Sequence, residues 1–226
     1  MTYSLVISSY KYGHLAAHSI ESALSQSRKE FSEMLFFKEG SPHPAPPISF
    51  DKIYFVDDGA GDCAHLPKLY PQVEFILREK NLGIVDNFQD MLNRIETDYV
   101  MFLGADNWLR SDTLFMLSQY KTDIVTYDIM VTGELKNEIA RLYPYSTHEF
   151  NGDIKWRRKD QHHGSILYKV SKAKEVGGYE KHRPDGIRTD EDYALWNKMI
   201  KAGATVQYVQ GDFLYYRRHR ENFNKY

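Results

Sequence analysis

Cysteine is almost absent from this chain of 226 residues. Cys63 stands alone, which excludes an internal disulfide and a cysteine zinc cluster and fits a reducing compartment. No apolar run approaches the ~18 residues of a membrane-spanning helix, and Met1-Thr-Tyr-Ser-Leu-Val-Ile7 lacks the basic start of a signal peptide. Net charge is also small: 29 basic against 31 acidic residues give −2, so no overall field recruits nucleic acid or an anionic membrane. A soluble, cytoplasmic chain is expected, with peripheral membrane contact left open. Glycine is sparse after the first apolar run, where Ser8-Ser-Tyr-Lys-Tyr-Gly13 supplies one and no phosphate-cradling loop. That argues against a sugar nucleotidyltransferase. Proline is scarce except at Pro42, Pro44, Pro46 and Pro47, which forbid regular structure and mark an exposed loop.

What is present is an alternation. Tyr3–Ser8, Lys52–Asp57, Val73–Leu77, Tyr99 to Asp106 and Asp123–Met130 read as short apolar strands. Between them, 15–31 and 84–95 carry apolar residues at helical spacing, and Ser111 opens a short helix through Leu117. Strand and helix in turn predict a mostly parallel sheet flanked by helices. Residues 131–164 are polar and predict loops and short strands. Beyond them, Ser171 begins a short helix stopped by Gly177-Gly178, and 190–203 forms a helix with acids in its first turn and glycine at its end. Thr205–Val209 and Phe213–Arg217 read as two final strands.

Two of the apolar runs end in acids. Lys52-Ile-Tyr-Phe-Val-Asp-Asp-Gly59 empties into a carboxylate pair followed by glycine, and Tyr99-Val-Met-Phe-Leu-Gly-Ala-Asp106 ends on one carboxylate. Acids at strand ends of an open α/β sheet stand where such sheets bind substrates and metals, so a nucleotide and metal cleft is expected. By itself Asp-Asp-Gly reads first as a turn in which the side chains bond nearby amides.

In order along the chain, Leu5–Lys11, Phe55–Asp62, Asn81-Leu-Gly83, Tyr99–Asn107, Gly177-Gly-Tyr179, Glu191-Asp192 and Tyr216-Arg-Arg-His219 resemble the family 2 glycosyltransferases of the GT-A fold. The resemblance spans nearly the whole chain. It implies an α/β, Rossmann-like GT-A domain over 1–226, with a nucleotide-sugar-binding half at 1–110 and a smaller mixed acceptor and catalytic-base half at 111–226. It also implies inverting transfer of a hexose or pentose from a nucleoside diphosphate sugar to a glycan or lipid-linked glycan hydroxyl, as in polysaccharide biosynthesis. Mg²⁺ or Mn²⁺ is implied as cofactor.

Under that resemblance Asp57 or Asp58 accepts a hydrogen bond from the donor base, and Ser8, Tyr10 and Lys11 line the nucleotide pocket. Lys80, Asn81, Gly83 and Ala105 are expected at the nucleotide, with Arg78 and Lys80 reaching for phosphate. Asp106 takes the metal-ligating position of the DxD-like motif, in which Gly104 replaces the first acid, and His219 is expected beside the metal. Asp192, next to Glu191, is the expected general base. His163, Gly164 and Trp108 are expected at the acceptor. A catalytically inactive sugar-nucleotide or glycan-binding module is the alternative that Gly104 keeps open.

Overall fold

The computed structural model describes residues 1–27, 48–133, 138–140, 164–180, 191–220 and 222. Four parallel strands form one side of the sheet: β1 (Tyr3–Ser9), β2 (Lys52–Asp57), β3 (Glu74–Leu77) and β4 (Tyr99–Gly104), in the order β3-β2-β1-β4. The short β5 (Trp108–Leu109) follows β4. The sheet continues with β8 (Leu167–Lys169), antiparallel to β4, then β6 (Ile124–Gly133) and β9 (Val206–Arg218), and ends at β5. β7 (Glu138–Ala140) pairs with β6. The chain winds outward from β1 to β3 and then returns to place β4 on the other flank of β1. That reversal opens a crevice at the carboxyl ends of β1 and β4.

Alternation along each strand divides the core into two layers. Tyr3, Leu5 and Ile7 of β1 and Tyr99, Met101 and Leu103 of β4 face one layer, with Ile20 and Ala23 from α1 (Ala16–Leu24). Val6, Val100 and Phe102 face the other. There they meet Met91 and Leu92 of a later helix and Leu195, Trp196 and Met199 of the last helix. Full burial of each such side chain stabilises by about 1.5–3 kcal/mol. The remaining helices are α2 (Leu66–Leu69), α3 (Ile84–Arg94), α4 (Thr113–Ser118), α5 (Val170–Glu175) and α6 (Glu191–Lys201). The core is mostly parallel with some antiparallel strands, as the alternation predicts.

Some expectations need correction. The helix anticipated over 15–31 ends at Leu24 and tightens into a 3₁₀ turn at Ser25–Ser27; residues 28–47 lie outside the described residues. Asp112, not Ser111, precedes the first helical residue of α4. The two expected C-terminal strands are one. Tyr127 pairs with Val209 but Asp128 pairs with Asp212, so Gln210 and Gly211 are absorbed as a bulge rather than a turn. Asp128 anchors it, accepting from the Tyr208 hydroxyl at 2.6 Å and the Gly211 amide at 3.4 Å.

Candidate active site

The first acidic strand end is assembled from backbone amides. Both oxygens of Asp57 close its own turn, accepting from the Ala60 and Gly61 N–H groups at 2.9 Å. Asp58 reaches further: its two oxygens accept the Leu82 and Gly83 amides, each at 3.1 Å. Gly59 completes the clamp. Its φ of +84° favours glycine, and a Cβ there would overlap the backbone of Lys80 and Asn81. Asp57, Asp58, Asn81 and Gly83 are therefore brought into one structure, with Lys80 exposed at its rim.

Arg78 turns away from the expected phosphate role. Its guanidinium lies 3.5 Å from Asp58, donates to Asn87 Oδ1 at 3.0 and 3.1 Å and to Asp90 at 2.7 Å. Asn87 in turn donates to the Ser8 hydroxyl at 2.9 Å, a link the sequence gave no hint of. Burial raises the Asp58 carboxyl above the usual range, and the two amides and Arg78 pull it back. Tyr10 is 43% exposed and carries the Lys11 ammonium 5.1 Å from its ring, while Lys11 takes a left-handed φ of 67°. The first loop thus presents an aromatic face beside this wall.

The second acidic strand end is held by side chains from the far end of the chain. Ser8 pairs with Gly104 in the sheet, and the Ala105 amide donates to the Ser8 carbonyl at 2.9 Å, so Asp106 stands just beyond the crevice. Its Oδ2 lies 3.2 Å from His219 Nε2 and 3.1 Å from Asn222 Nδ2. Arg217 fixes the turn by donating Nε–H to the Asp106 carbonyl at 3.0 Å and its backbone N–H to Asn107 Oδ1 at 2.9 Å. Burial is the main cause that raises the Asp106 carboxyl; the His219 hydrogen bond opposes it. Gly104 leaves room above the turn: a Cβ there would sit 2.6 Å from Asp106 Oδ1 and 2.8 Å from Asn107 Nδ2.

A carboxylate oxygen and an imidazole nitrogen sharing one ion at ~2.1 Å each, at right angles, would lie ~3 Å apart, close to what Asp106 and His219 present. The donor set fits a divalent cation, the imidazole suiting Mn²⁺ better than Mg²⁺. A second group among the described residues, Asp57, Asp62 and Cys63, also lies within ligand range of one point. It suits a hard cation poorly. Burial pushes the Cys63 thiol up to about 12, and the turn amides already occupy Asp57.

The third carboxylate arrives from the other half. β8 runs antiparallel to β4, so the chain ahead of Leu167 lies toward the carboxyl end of β4, and Gly164 stands there. Asp192, at the start of α6, is buried against it; any Cβ at 164 would overlap the Asp192 carboxylate. Beneath sit Tyr168 and Tyr179, their hydroxyls 2.9 Å apart and both held protonated by burial, with the Asp192 charge adding to that. Glu191 is half-buried beside it. His163 lies outside the described residues.

Trp108 is stacked with His18 at 4.3 Å and Tyr215 at 5.3 Å, under the Arg217 guanidinium at 4.9 Å. It lines a cavity of about 480 Å³ beside the Asp106–His219 pair, together with His14 and the run Arg217-Arg-His-Arg220.

The sequence pattern of Glycosyl transferase family 2 matches residues 4–177 of this chain. The chain belongs to that family. Its fold is similar to the crystal structure of S. aureus TarS 1–349 in complex with UDP-GlcNAc, at a TM-score of 0.70 and 13% identity over 98% of this chain and 60% of that one. TarS 1–349 in complex with UDP is similar at a TM-score of 0.64 and 13% identity, covering 96% of this chain and 61% of the other. The longer TarS structure matches at a TM-score of 0.64 and 14% identity, over 96% of this chain and 37% of that one. This chain therefore spans about 60% of the TarS 1–349 structures. No curated protein sequence matches it.

Proposed function

We propose that this family 2 glycosyltransferase moves a sugar with inversion from a uridine diphosphate sugar to an acceptor hydroxyl, using Asp192 as general base. What supports the reading is that Asp58 follows β2, Asp106 follows β4, and Asp192 packs on Gly164 ahead of β8, the antiparallel neighbour of β4, so that three distant stretches of chain bring a carboxylate to the carboxyl edge of one sheet. In this reading residues 1–110 hold the donor and 111–226 supply the acceptor side and the base. The lone buried Cys63 keeps a cytoplasmic setting part of it.

Asp58, rather than Asp57, is our choice for the base contact. Both carboxylates already accept two amides, and Asp58 in addition stands 3.5 Å from the Arg78 guanidinium. A carboxylate acceptor beside a guanidinium donor complements the N–H and carbonyl edge of uracil, and a carboxylate with ~four lone-pair sites retains capacity after two amides. The UDP and UDP-GlcNAc held by the TarS structures point to the same nucleotide class. Tyr10 offers a ring for stacking, and Ser8, Lys11, Ala105 and Lys80–Gly83 border the nucleotide.

Asp106 and His219 would hold Mn²⁺ or Mg²⁺ against the diphosphate. Bound there, the cation supplies Lewis-acid neutralisation of the departing nucleotide. Arg217 holds the turn that carries Asp106. In this reading Asp192 accepts the acceptor's proton opposite the departing nucleotide, which leads to inversion. Gly164 lets its carboxylate close against the backbone, and Trp108 and His163 complete the acceptor side in this reading.

The test is a panel of UDP-sugars with Mn²⁺, comparing the parent chain with Asp192→Asn. UDP affinity is expected to hold within about twofold while turnover falls ~10²–10⁴-fold. Equal turnover removes Asp192 from the mechanism. Donor binding with no transfer to any glycan acceptor makes the chain a binding module instead.

A further inference from the structure

Asn87 lies in the first turn of α3, 1% exposed, with its backbone N–H donating to the Gly83 carbonyl at 2.9 Å. Its side chain leaves the helix and joins two strand ends, Arg78 just past β3 and Ser8 near the end of β1. A primary amide has one accepting and one donating end, and here its partners settle which way it points. The guanidinium carries only donors, and its Nε and Nη2 converge on one Asn87 atom at 3.1 and 3.0 Å, so that atom is the carbonyl Oδ1. The Nδ2 group therefore donates to the Ser8 hydroxyl oxygen at 2.9 Å.

Two donors are left over. A Ser8 oxygen that accepts from α3 turns its own O–H elsewhere, and Ser8 is only half-buried at the crevice. Arg78 is spread between Asn87 and Asp90, which leaves its Nη1 hydrogens without a hydrogen bond among the described residues. The sheet sets these groups in a row. β3, β2, β1 and β4 are parallel neighbours in that order, so Arg78, Asp58, Ser8 and Asp106 follow one another along their carboxyl edge. A nucleotide whose diphosphate lies at Asp106 has its base at the far end, with O2 nearest the ribose and O4 farthest from it. The row then offers a guanidinium N–H to O4, a carboxylate to N3 and a hydroxyl O–H to O2, and uracil answers with acceptor, donor, acceptor. Cytosine sets an amino donor against Arg78 and a bare ring nitrogen against Asp58.

We propose that Asn87 is a positioning residue for nucleobase selection: by accepting from Arg78 and donating to Ser8 it holds both flanking groups as donors on either side of Asp58, so that the site takes uracil and rejects cytosine. Thymine carries the same edge and is not excluded. The inference rests on the donor reading above.

Calorimetric titration of the whole chain with UDP and with CDP, at saturating Mn²⁺, tests this. The parent is expected to prefer UDP by at least ~10²-fold, because a site built to hydrogen-bond one edge leaves buried groups unpaired against the other. Asn87→Ala frees the guanidinium to turn toward Asp90 and should bring the two affinities within about threefold of each other. Asn87→Asp, which has nearly the same shape and still accepts from Arg78, should keep the preference; its added charge acts on both diphosphates alike and cancels in the ratio. Ser8→Ala should weaken UDP and CDP equally, by about fivefold, since O2 is common to both bases. A preference that survives Asn87→Ala, or that Asn87→Asp loses as fully, overturns the proposal, as does a Ser8→Ala chain that binds both nucleotides as the parent does. Should Asn87→Ala not fold, the Asn87→Asp and Ser8→Ala titrations still decide. A parent that binds UDP and CDP alike overturns this inference alone, whereas one that binds neither overturns the donor reading and this inference with it.

Discussion

Asp58 and Asp106 end two strands that flank the same β1, yet they are held in opposite ways. Asp58 is gripped by the amides of Leu82 and Gly83, some two dozen positions ahead, in a clamp that also fixes Gly59. Asp106 is gripped by the side chains of His219 and Asn222, more than a hundred positions away, delivered by β9 after its bulge. Backbone donors cannot reorient when their acceptor is lost; side-chain donors can. Asp58 is thus part of the fold, whereas Asp106 is held by groups that can exchange it for a ligand.

Substitutions should separate the two ends. Asp106→Ala is expected to lower turnover by about 10³-fold and abolish its dependence on Mn²⁺, while changing denaturation midpoints little. A large loss of stability with retained Mn²⁺ dependence would reverse the assignment. Asp58→Ala strands two amides and leaves Arg78 paired with Asp90 alone, at a cost of about 1–3 kcal/mol in urea denaturation, together with weaker UDP binding. Unchanged stability there would mean that the clamp is dispensable.

The smallest effect concerns pH. Burial holds the folded Asp106 carboxyl above its unfolded value, so between those two values folding takes up a proton and stability falls as pH rises. The full charged-state cost is present above the folded value and is relieved as pH falls toward the unfolded value of about 3.9. Metal-free Asp106→Asn should therefore equal or exceed the parent near neutral pH, by less than about 1 kcal/mol, with the gap closing in acid. Denaturation curves across pH without metal give the sign; a variant that is weaker at neutral pH and recovers in acid would contradict it.

The same contrast explains what the sequence disclosed. The parallel strands were legible as short apolar runs, two of them stopping abruptly at carboxylates, whereas the bonding of Asp58 to the Leu82 and Gly83 amides was not, although Asp-Asp-Gly and Asn-Leu-Gly were both singled out. β8 was not legible: three residues carry too little periodicity, and their place beside β4 is decided by packing. Nor was the continuity of β9, since Gln210-Gly-Asp212 reads as a turn until Asp128 captures the Tyr208 hydroxyl and the Gly211 amide. Asn222 and Asn87 gave no signal, because one amide among many acquires meaning only from its partner. The cationic cavity was half visible as a basic C-terminal run, but His14 joins it only through the fold.

Gly104 closes a path that the family pattern offers. An engineer wishing to strengthen cation binding would restore the missing acid, but the first carbon of any new side chain meets Asp106 Oδ1 and Asn107 Nδ2, and Asn107 is tied to the Arg217 amide. Reinstating the ancestral-looking motif therefore demands that three neighbours be redesigned at once, and a single exchange would displace the very ligand it was meant to assist.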